Sequence, residues 1–307
     1  MNTPHRPTDD SLDRAADEFL RQRPRLFGIA YRILGSVAEA EDVVQDAWLR
    51  WQNTDRGTVV DPKAFLVTTT VRLAINVAQS ARMRRETYVG PWLPEPVDTS
   101  VDPQVGAERG EALELAILVL LEKLKPLERA AYVLREAFDY PHHQIADILQ
   151  ISQDNARQIV SRSRKRLTNE HRKPVDDAEH RRLLDAFVAA ARQGDLGALE
   201  RLLTEDVASY ADGNGMRGVA RIKVTGRRRT AQLAAFSRKF LPDAEFHVVE
   251  ANGGPAVLIV KDGVARALVT ITVGDDGIDG LYWVMAADKL QAYARSAHRV
   301  LPRDAQQ

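Results

Sequence analysis

The segment PHHQIADILQISQDNARQIVSRSRKRL (Pro141–Leu167) sets amide and guanidinium side chains at helical spacing. Gln153, Asn155, Arg157, Gln158, Ser161 and Arg162 fall opposite an apolar period made by Ala156, Ile159, Val160 and Leu167. Side chains of these types pair with base edges in a DNA major groove, and Arg164, Lys165 and Arg166 beyond them suit phosphates. Presenting them takes two short helices that meet at a tight turn. Ile145, Ile148 and Leu149 form the apolar side of the first helix, and Ser152 is placed to cap the second. Gln150 occupies the turn, where glycine is commonly preferred. Taken alone, the pattern also fits a solvated basic helix in an ordinary helical hairpin.

Composition bounds the surroundings of this motif. A chain of 307 residues favours two or three compact units with separate cores. Basic and acidic residues balance at 43 each, so contact with nucleic acid must come from local segregation of charge. Basic residues do cluster, at Arg82 to Arg85, Arg157 to Lys173 and Arg227 to Arg229, while Glu39, Glu41, Asp42 and Asp46 gather acid. With no cysteine, disulfides, thiolate catalysis and cysteine-ligated zinc are excluded. The most apolar run, Ala112 to Leu121, contains Glu114 and is shorter than a bilayer span, and no signal-peptide-like stretch opens the chain. A soluble, cytoplasmic protein without membrane contact is expected.

Three blocks separate on pattern. From Asp13 to Arg85 the periods are helical: Ser36 and Glu39 stand at capping-box spacing before Val43, Val44, Ala47 and Trp48, and Asp61-Pro62 opens a second helix. Proline-rich Gly90 to Gln104 reads as a linker, and helical periods resume from Glu111 to Leu167. Lys173-Pro174 marks the next boundary. The third block is helical from Ala178 to Leu203. Strand-like runs then follow at 245–251, 256–260, 265–273 and 278–285, separated by Asn252-Gly253, Asp262-Gly263 and Asp275-Asp276-Gly277 turns, which points to an α+β domain.

The order EAEDVVQDAWLRW (Glu39–Trp51), FLVTTTVRLAINVAQSARMRR and LKPLERAAYVLREAF (Leu124–Phe138), running into the helix-turn-helix, resembles regions two and four of a sigma-70-type RNA polymerase sigma factor. With little chain ahead of region two and no region three, it is similar to the extracytoplasmic-function class, group 4. Trp92-Leu93-Pro94-Glu95-Pro96 resembles the WLPEP hallmark of the subgroup with a SnoaL-like extension. The resemblance implies a multidomain chain. Two all-α domains, region two at 13–88 and region four at 111–172, flank a linker at 89–110, and an α+β cone-shaped SnoaL-like barrel follows at 177–300.

The same resemblance assigns roles. Asp42, Gln45, Asp46 and Leu49 would hold core RNA polymerase at the β′ clamp helices, with region four meeting the β flap. Lys63, Arg72, Asn76, Arg82, Arg84 and Arg85 would grip the minus-ten element, with the loop Gln52 to Val60 holding an extruded base. Asn76, Val77 and Gln79 stand where relatives often carry Asp, Arg and Arg. Gln153, Asn155, Arg157, Gln158, Ser161 and Arg162 of the second helix would read the minus-thirty-five element, chiefly through Arg157, Gln158 and Arg162, with Arg164 and Lys165 on its phosphates. Promoter DNA and polymerase are thus the implied partners. No catalytic residue, metal or cofactor is implied.

For the extension, Tyr210, Phe236, Phe246, Tyr282, Trp283 and Met285 are candidates to line a small-molecule cavity, with Asp212 and His247 as polar members. Ordinary core packing explains the same aromatics. Two subgroup hallmarks appear altered: DGGGK as Asp212-Gly213-Asn214-Gly215-Met216, and NPDKL as Ala286-Ala287-Asp288-Lys289-Leu290. The extension is expected to contact the linker at Trp92 to Pro96 and the first block, and so to regulate transcription. Two other readings stay open: an isomerase or cyclase barrel fused to a DNA-binding module, and a ligand-sensing operator-binding regulator.

Overall fold

The computed structural model describes residues 9–85, 87–100, 114–168 and 176–296. The expected Lys173-Pro174 boundary, linker residues 101–110, the helix start at Glu111 and the end of the third block near residue 300 lie outside them. The described residues divide into two compact units. One holds those up to Met83 with Leu121–Leu167, and the other holds Arg84–Leu120 with those from Thr168 onward.

The first unit is helical. Helices α1 (Asp9–Leu34) and α2 (Val37–Asn53) join through Gly35 at φ 68° and Ser36, whose hydroxyl accepts from the Glu39 amide at 3.2 Å. The inner face of α2 buries Ala40, Val43, Val44, Ala47 and Trp51, and the Trp51 indole donates to the Ala15 carbonyl at 3.1 Å. Helix α3 (Pro62–Arg85) begins as read from Asp61-Pro62, the Asp61 carboxylate accepting from the Ala64 amide. Helix α4 (Leu115–Leu121) leads to α5 (Pro126–Glu136), and the helix-turn-helix comprises α6 (His142–Leu149) and α7 (Gln153–Thr168).

Arginines join the early and late helices of this unit. Buried Arg129 on α5 donates to the Ile33 carbonyl at the end of α1 at 2.8 Å and pairs with Glu122 at 2.5 Å. Arg25 and Arg32 of α1 lie 5.2 and 5.0 Å from the Phe138 ring centre. Each guanidinium hides its charge against a carbonyl, carboxylate or ring, which is what makes burial of arginine tolerable.

In the second unit, α8 (Asp177–Gln193) and α9 (Leu196–Leu202) precede β1 (Leu203–Asp212) and β2 (Val224–Thr225). Helix α10 (Arg227–Phe240) follows, then the meander β3 (Glu245–Ala251), β4 (Gly254–Lys261), β5 (Val264–Gly274), β6 (Gly277–Val284), and finally α11 (Ala287–Ser296). The six strands form one sheet in the order β2-β1-β6-β5-β4-β3, antiparallel except that β1 runs parallel to β6. Asn252-Gly253 and Asp262-Gly263 have positive φ at both residues, the geometry that two-residue hairpins require. Strand β1 and helix α10, absent from the pattern reading, complete the domain.

Both faces of the sheet are covered. On one, Leu183, Leu184 and Phe187 of α8 pack with Val257, Val269 and Leu281; on the other, Leu258, Leu268 and Val284 pack with Leu290 and Tyr293 of α11, Leu115 of α4 and Leu93 of the linker. Two-sided burial explains the unbroken apolar run Ala256–Val260, which cannot alternate if neither face meets water. Among the described residues no helix is long and apolar enough to cross a membrane.

Two expectations follow. Gln150 ends α6 at φ 54°, ψ 50°, a left-handed conformation that an L side chain adopts only at a cost. Gln150→Gly should raise the free energy of unfolding by about 0.5–1 kcal/mol, after allowing for the greater freedom of glycine in the unfolded chain, as read from urea titration. Burial lowers the His180 pKa from 6.5, although the Ile271 backbone opposes the shift. The unfolded chain therefore takes up the proton first as pH falls through 6.5, and this contribution to stability is lost progressively down to the lower folded pKa. His180→Gln should flatten the acid side of the stability profile of the second unit.

Candidate functional site

Helix α7 presents the expected reading face. Ser152 caps it, its Oγ accepting from the Asn155 amide at 3.2 Å, and Ala156, Ile159, Val160 and Leu167 turn inward. Arg157, Gln158, Ser161 and Arg162 line one shallow open concavity, with Gln153 exposed and Asn155 half-buried at its N-terminal end. Lys165 is exposed too. The neighbouring arginines are engaged: Arg164 pairs with Glu136 at 2.7 Å and Arg166 with Glu128 at 3.1 Å, both on α5. These pairs hold the reading helix on α5, and their partial exposure makes them weak enough to exchange for phosphates.

On α2, Asp42, Gln45, Asp46 and Leu49 are all exposed and share one stripe, spaced three and four residues apart, opposite Val43, Val44 and Ala47. Leu49 is an apolar side chain left 47% exposed in the middle of acidic and amide groups. On α3, Lys63, Arg72, Asn76 and Arg82 are all exposed, and Arg72 also donates from Nε to the Ile148 carbonyl at 3.2 Å, joining α3 to the end of α6. The side chain of Arg84 lies outside the described part. Arg85 sits with its guanidinium 3.4 Å from the Trp92 ring centre, in the linker.

The linker residues gather at a buried charge pair. Asp212 ends β1, Lys289 lies in the first turn of α11 just after the adjacent strand β6, and their Oδ2 and Nζ approach to 2.7 Å with both side chains buried. Asp212 also accepts from the Leu93 amide at 2.8 Å and from the Tyr88 hydroxyl at 2.5 Å. Lys289 donates back to the Leu93 carbonyl and lies 4.2 Å from the Trp92 ring centre. Trp92 therefore meets a cation from each of Arg85 and Lys289. Burial lowers the Lys289 pKa and the Asp212 carboxylate opposes that shift; burial and the same carboxylate raise that of Tyr88.

Neighbouring features support this dock. Leu93, Pro94 and Pro96 are buried, whereas Glu95 is half-buried and Asp288 exposed; Leu290 is in the core. A Cβ on Gly213 would lie 2.9 Å from Val219 Cγ1, so glycine is required there. Asn214 takes φ 44°, which asparagine tolerates better than most residues, so the altered DGGGK hallmark keeps its turn. Further along, the Val97 amide and carbonyl bond to Asn252 at 3.2 and 2.8 Å, and Thr99 bonds to Glu250 at 2.6 Å. Tyr88, Asn252 and Glu250 were missed by pattern reading; only the Asn252-Gly253 turn marked the place.

The cavity differs from the expected one. A space of about 70 Å³ is lined by Ser209, Ala211, Gly218 to Ala220, Leu233, Phe236, Ser237, Phe240, Leu241, Trp283 and Met285. Of the expected lining, Phe236, Trp283 and Met285 are there. Tyr210 and Tyr282 stack on each other at 5.4 Å on the opposite face, since they alternate with Ala211 and Trp283 along paired strands. Asp212 shares the face of Tyr210 and is engaged by Lys289, and His247 pairs with Glu245 on edge strand β3 at 3.1 Å. Phe246 packs on the α8 side of the sheet core, under the Arg192 guanidinium.

Comparison with known proteins bears on the whole arrangement. The sigma-70 region 2 family matches residues 19–85 and the sigma-70 region 4 family matches residues 114–167. The ECF RNA polymerase sigma factor SigJ of Mycobacterium tuberculosis (strain ATCC 25618 / H37Rv) is 40% identical over 300 residues, which cover 93% of this chain and 96% of that one. A probable ECF sigma factor, SigI, of Mycobacterium tuberculosis (strain CDC 1551 / Oshkosh) is 34% identical over 195 residues, 62% of this chain and 67% of its own. The crystal structure of the M. tuberculosis extracytoplasmic function sigma factor SigJ superposes with a TM-score of 0.74 at 33% identity, covering 90% of this chain and 98% of that one. The chain belongs to the extracytoplasmic-function class of sigma-70-family RNA polymerase sigma factors, and is an alternative sigma factor directing transcription initiation with a SnoaL-like α+β domain after region four.

Proposed function

We propose that this sigma factor is held in a closed state by its docked linker, and that release of the linker from the Asp212–Lys289 pair lets regions two and four engage a promoter together. The observation that carries the reading is the capture of Trp92 and Leu93 at that buried pair. Bonds between the early and late helices of the first unit, such as Arg72 to the Ile148 carbonyl, support it. Elements at minus ten and minus thirty-five are about 25 base pairs apart, or about 85 Å at 3.4 Å per step. Helices α3, α6 and α7, of 24, 8 and 16 residues, span about 36, 12 and 24 Å, too little even end to end to serve both elements while α3 stays bonded to α6.

In this reading the α2 stripe of Asp42, Gln45, Asp46 and Leu49 holds the β′ clamp helices, and region four also meets the β flap. Lys63, Asn76 and Arg82 serve the minus-ten element, joined by Arg84 and by Arg72 and Arg85 once freed. Helix α7 reads the minus-thirty-five element through Arg157, Gln158, Ser161 and Arg162, with Gln153 and Asn155 beside them and Arg164 and Lys165 on phosphates. The protein acts in the cytoplasm, without cofactor or catalysis of its own. Asp212 and His247, the pair an isomerase would use, are each engaged elsewhere and away from the cavity. The apolar cavity suits a small apolar effector and not a reaction site.

Two measurements test the proposal. Asp42→Arg, at an exposed position, should keep the fold and weaken capture of core polymerase; unchanged capture by the folded variant removes the α2 face from the interface. Lys289→Met leaves a buried carboxylate without its cation and should weaken the dock by about 3–5 kcal/mol. Run-off transcription should then rise, Trp92→Ala should raise it in the wild-type background, and Trp92→Ala should add little to Lys289→Met. Transcription equal to wild type from all three proteins would show that the dock does not restrain activity.

A further inference from the structure

We infer that the SnoaL-like domain carries a DNA-backbone contact surface of its own, formed by α10 and the loop before it. Between Asp212 and Asp243 the chain has eight Arg or Lys residues and no Asp or Glu, in a protein whose basic and acidic residues balance overall at 43 each. Three of the eight are engaged. Arg227 pairs with Glu205 at 2.8 Å, Arg238 donates to the Gln193 carbonyl, and Lys223 lies against the Tyr210 ring. Arg217, Arg221, Arg228, Arg229 and Lys239 are exposed and form no ion pair among the described residues.

These cations belong to one surface. On α10, Arg228, Arg229 and Lys239 share an exposed arc, while Thr230, Ala231 and Ala234 turn to the core. The preceding loop is pressed on the same helix: a Cβ on Gly218 would come within 2.7 Å of the Phe240 ring, and Gly218 to Ala220 line one cavity wall with Leu233 and Phe236. Arg217 and Arg221 flank that stretch, so the loop packed on α10 adds two exposed cations to those of the helix.

Unpaired like charges at this density repel one another, and a regular polyanion relieves them. A DNA duplex, with one charge per about 1.7 Å of axis, fits a patch of separate cations without needing a shaped pocket. Connectivity favours DNA over other polyanions: α8 begins nine residues after the last residue of the reading helix α7, so a promoter bound there stands at high effective concentration for this surface.

The test uses the full-length protein, with a labelled duplex lacking promoter elements and the corresponding single strand, titrated by fluorescence anisotropy across salt concentrations. Arg228→Gln/Arg229→Gln/Lys239→Gln should lower the salt slope on duplex by about 2–3, at about 0.9 per phosphate contact, and weaken low-salt binding at least about tenfold. Arg228→Lys/Arg229→Lys, which keeps the charge, should retain the slope. Should the triple variant fail to fold, Arg221→Gln and Lys239→Gln, each alone, read the same quantity at about 0.9 apiece. Unchanged slope and affinity in folded variants would overturn the proposal. So would a loss confined to core polymerase, or to vesicles of anionic lipid, with DNA binding intact. A loss on the single strand alone would also overturn the duplex contact.

Discussion

The Asp212–Lys289 pair ties the second unit together because the linker fills the hydrogen-bonding positions that the two charges leave open. Moving a carboxylate and an ammonium out of water costs several kcal/mol each, and their mutual attraction offsets this only when the remaining hydrogen-bonding positions are filled. Here they are filled largely by residues outside the sheet domain's own sequence: the Tyr88 hydroxyl, the Leu93 amide and the Leu93 carbonyl. If the linker left, water would have to reach both charges. Docking and charge burial are thus one event, and the pair contributes specificity of docking more than net stability.

The apolar side of the same arrangement has the same dependence. Leu93 is fully buried between the sheet and α11, and burying a leucine contributes about 1.5–3 kcal/mol. Leu115, from beyond the linker, lies in that cluster as well. One face of the sheet is therefore completed by the linker and by the first helix of region four, while the other is completed by α8 and α10, which follow region four. A domain that borrows part of its core from a linker couples its own stability to where that linker is, which is what a reversible restraint requires.

How far the sequence could be read depended on whether the determining interaction was local. Caps at Ser36, Asp61 and Ser152 are satisfied within three residues, and all were legible. The Asn252-Gly253 and Asp262-Gly263 hairpins likewise follow from the two turn residues. Strand β1 was hidden because its run directly follows helical α9 and its main partner, β6, lies some seventy residues on. Helix α10 begins with three arginines, which read as a charge cluster more readily than as a helix start. At the site, Trp92, Leu93, Asp212 and Lys289 were each singled out, but only the fold brings residues so far apart in sequence to one point. Arg72 and Arg85 looked like free cations because their partners, the Ile148 carbonyl and the Trp92 ring, are tertiary.

The alternation of β1 decides what kind of domain this is. Ser209 and Ala211 face the cavity with Trp283 and Met285, and Tyr210 and Asp212 face the other side with Tyr282. Because side chains alternate with a period of two, an acid at position 209 or 211 would have pointed into the cavity, where a carboxylate can act on a ligand. At position 212 it points to Lys289 instead. Apolar groups, aromatic ones among them, and two serines are left to line the cavity, and the buried Asp212 serves the linker. The same scaffold that could present a carboxylate to a small molecule here uses it to hold the linker at Leu93.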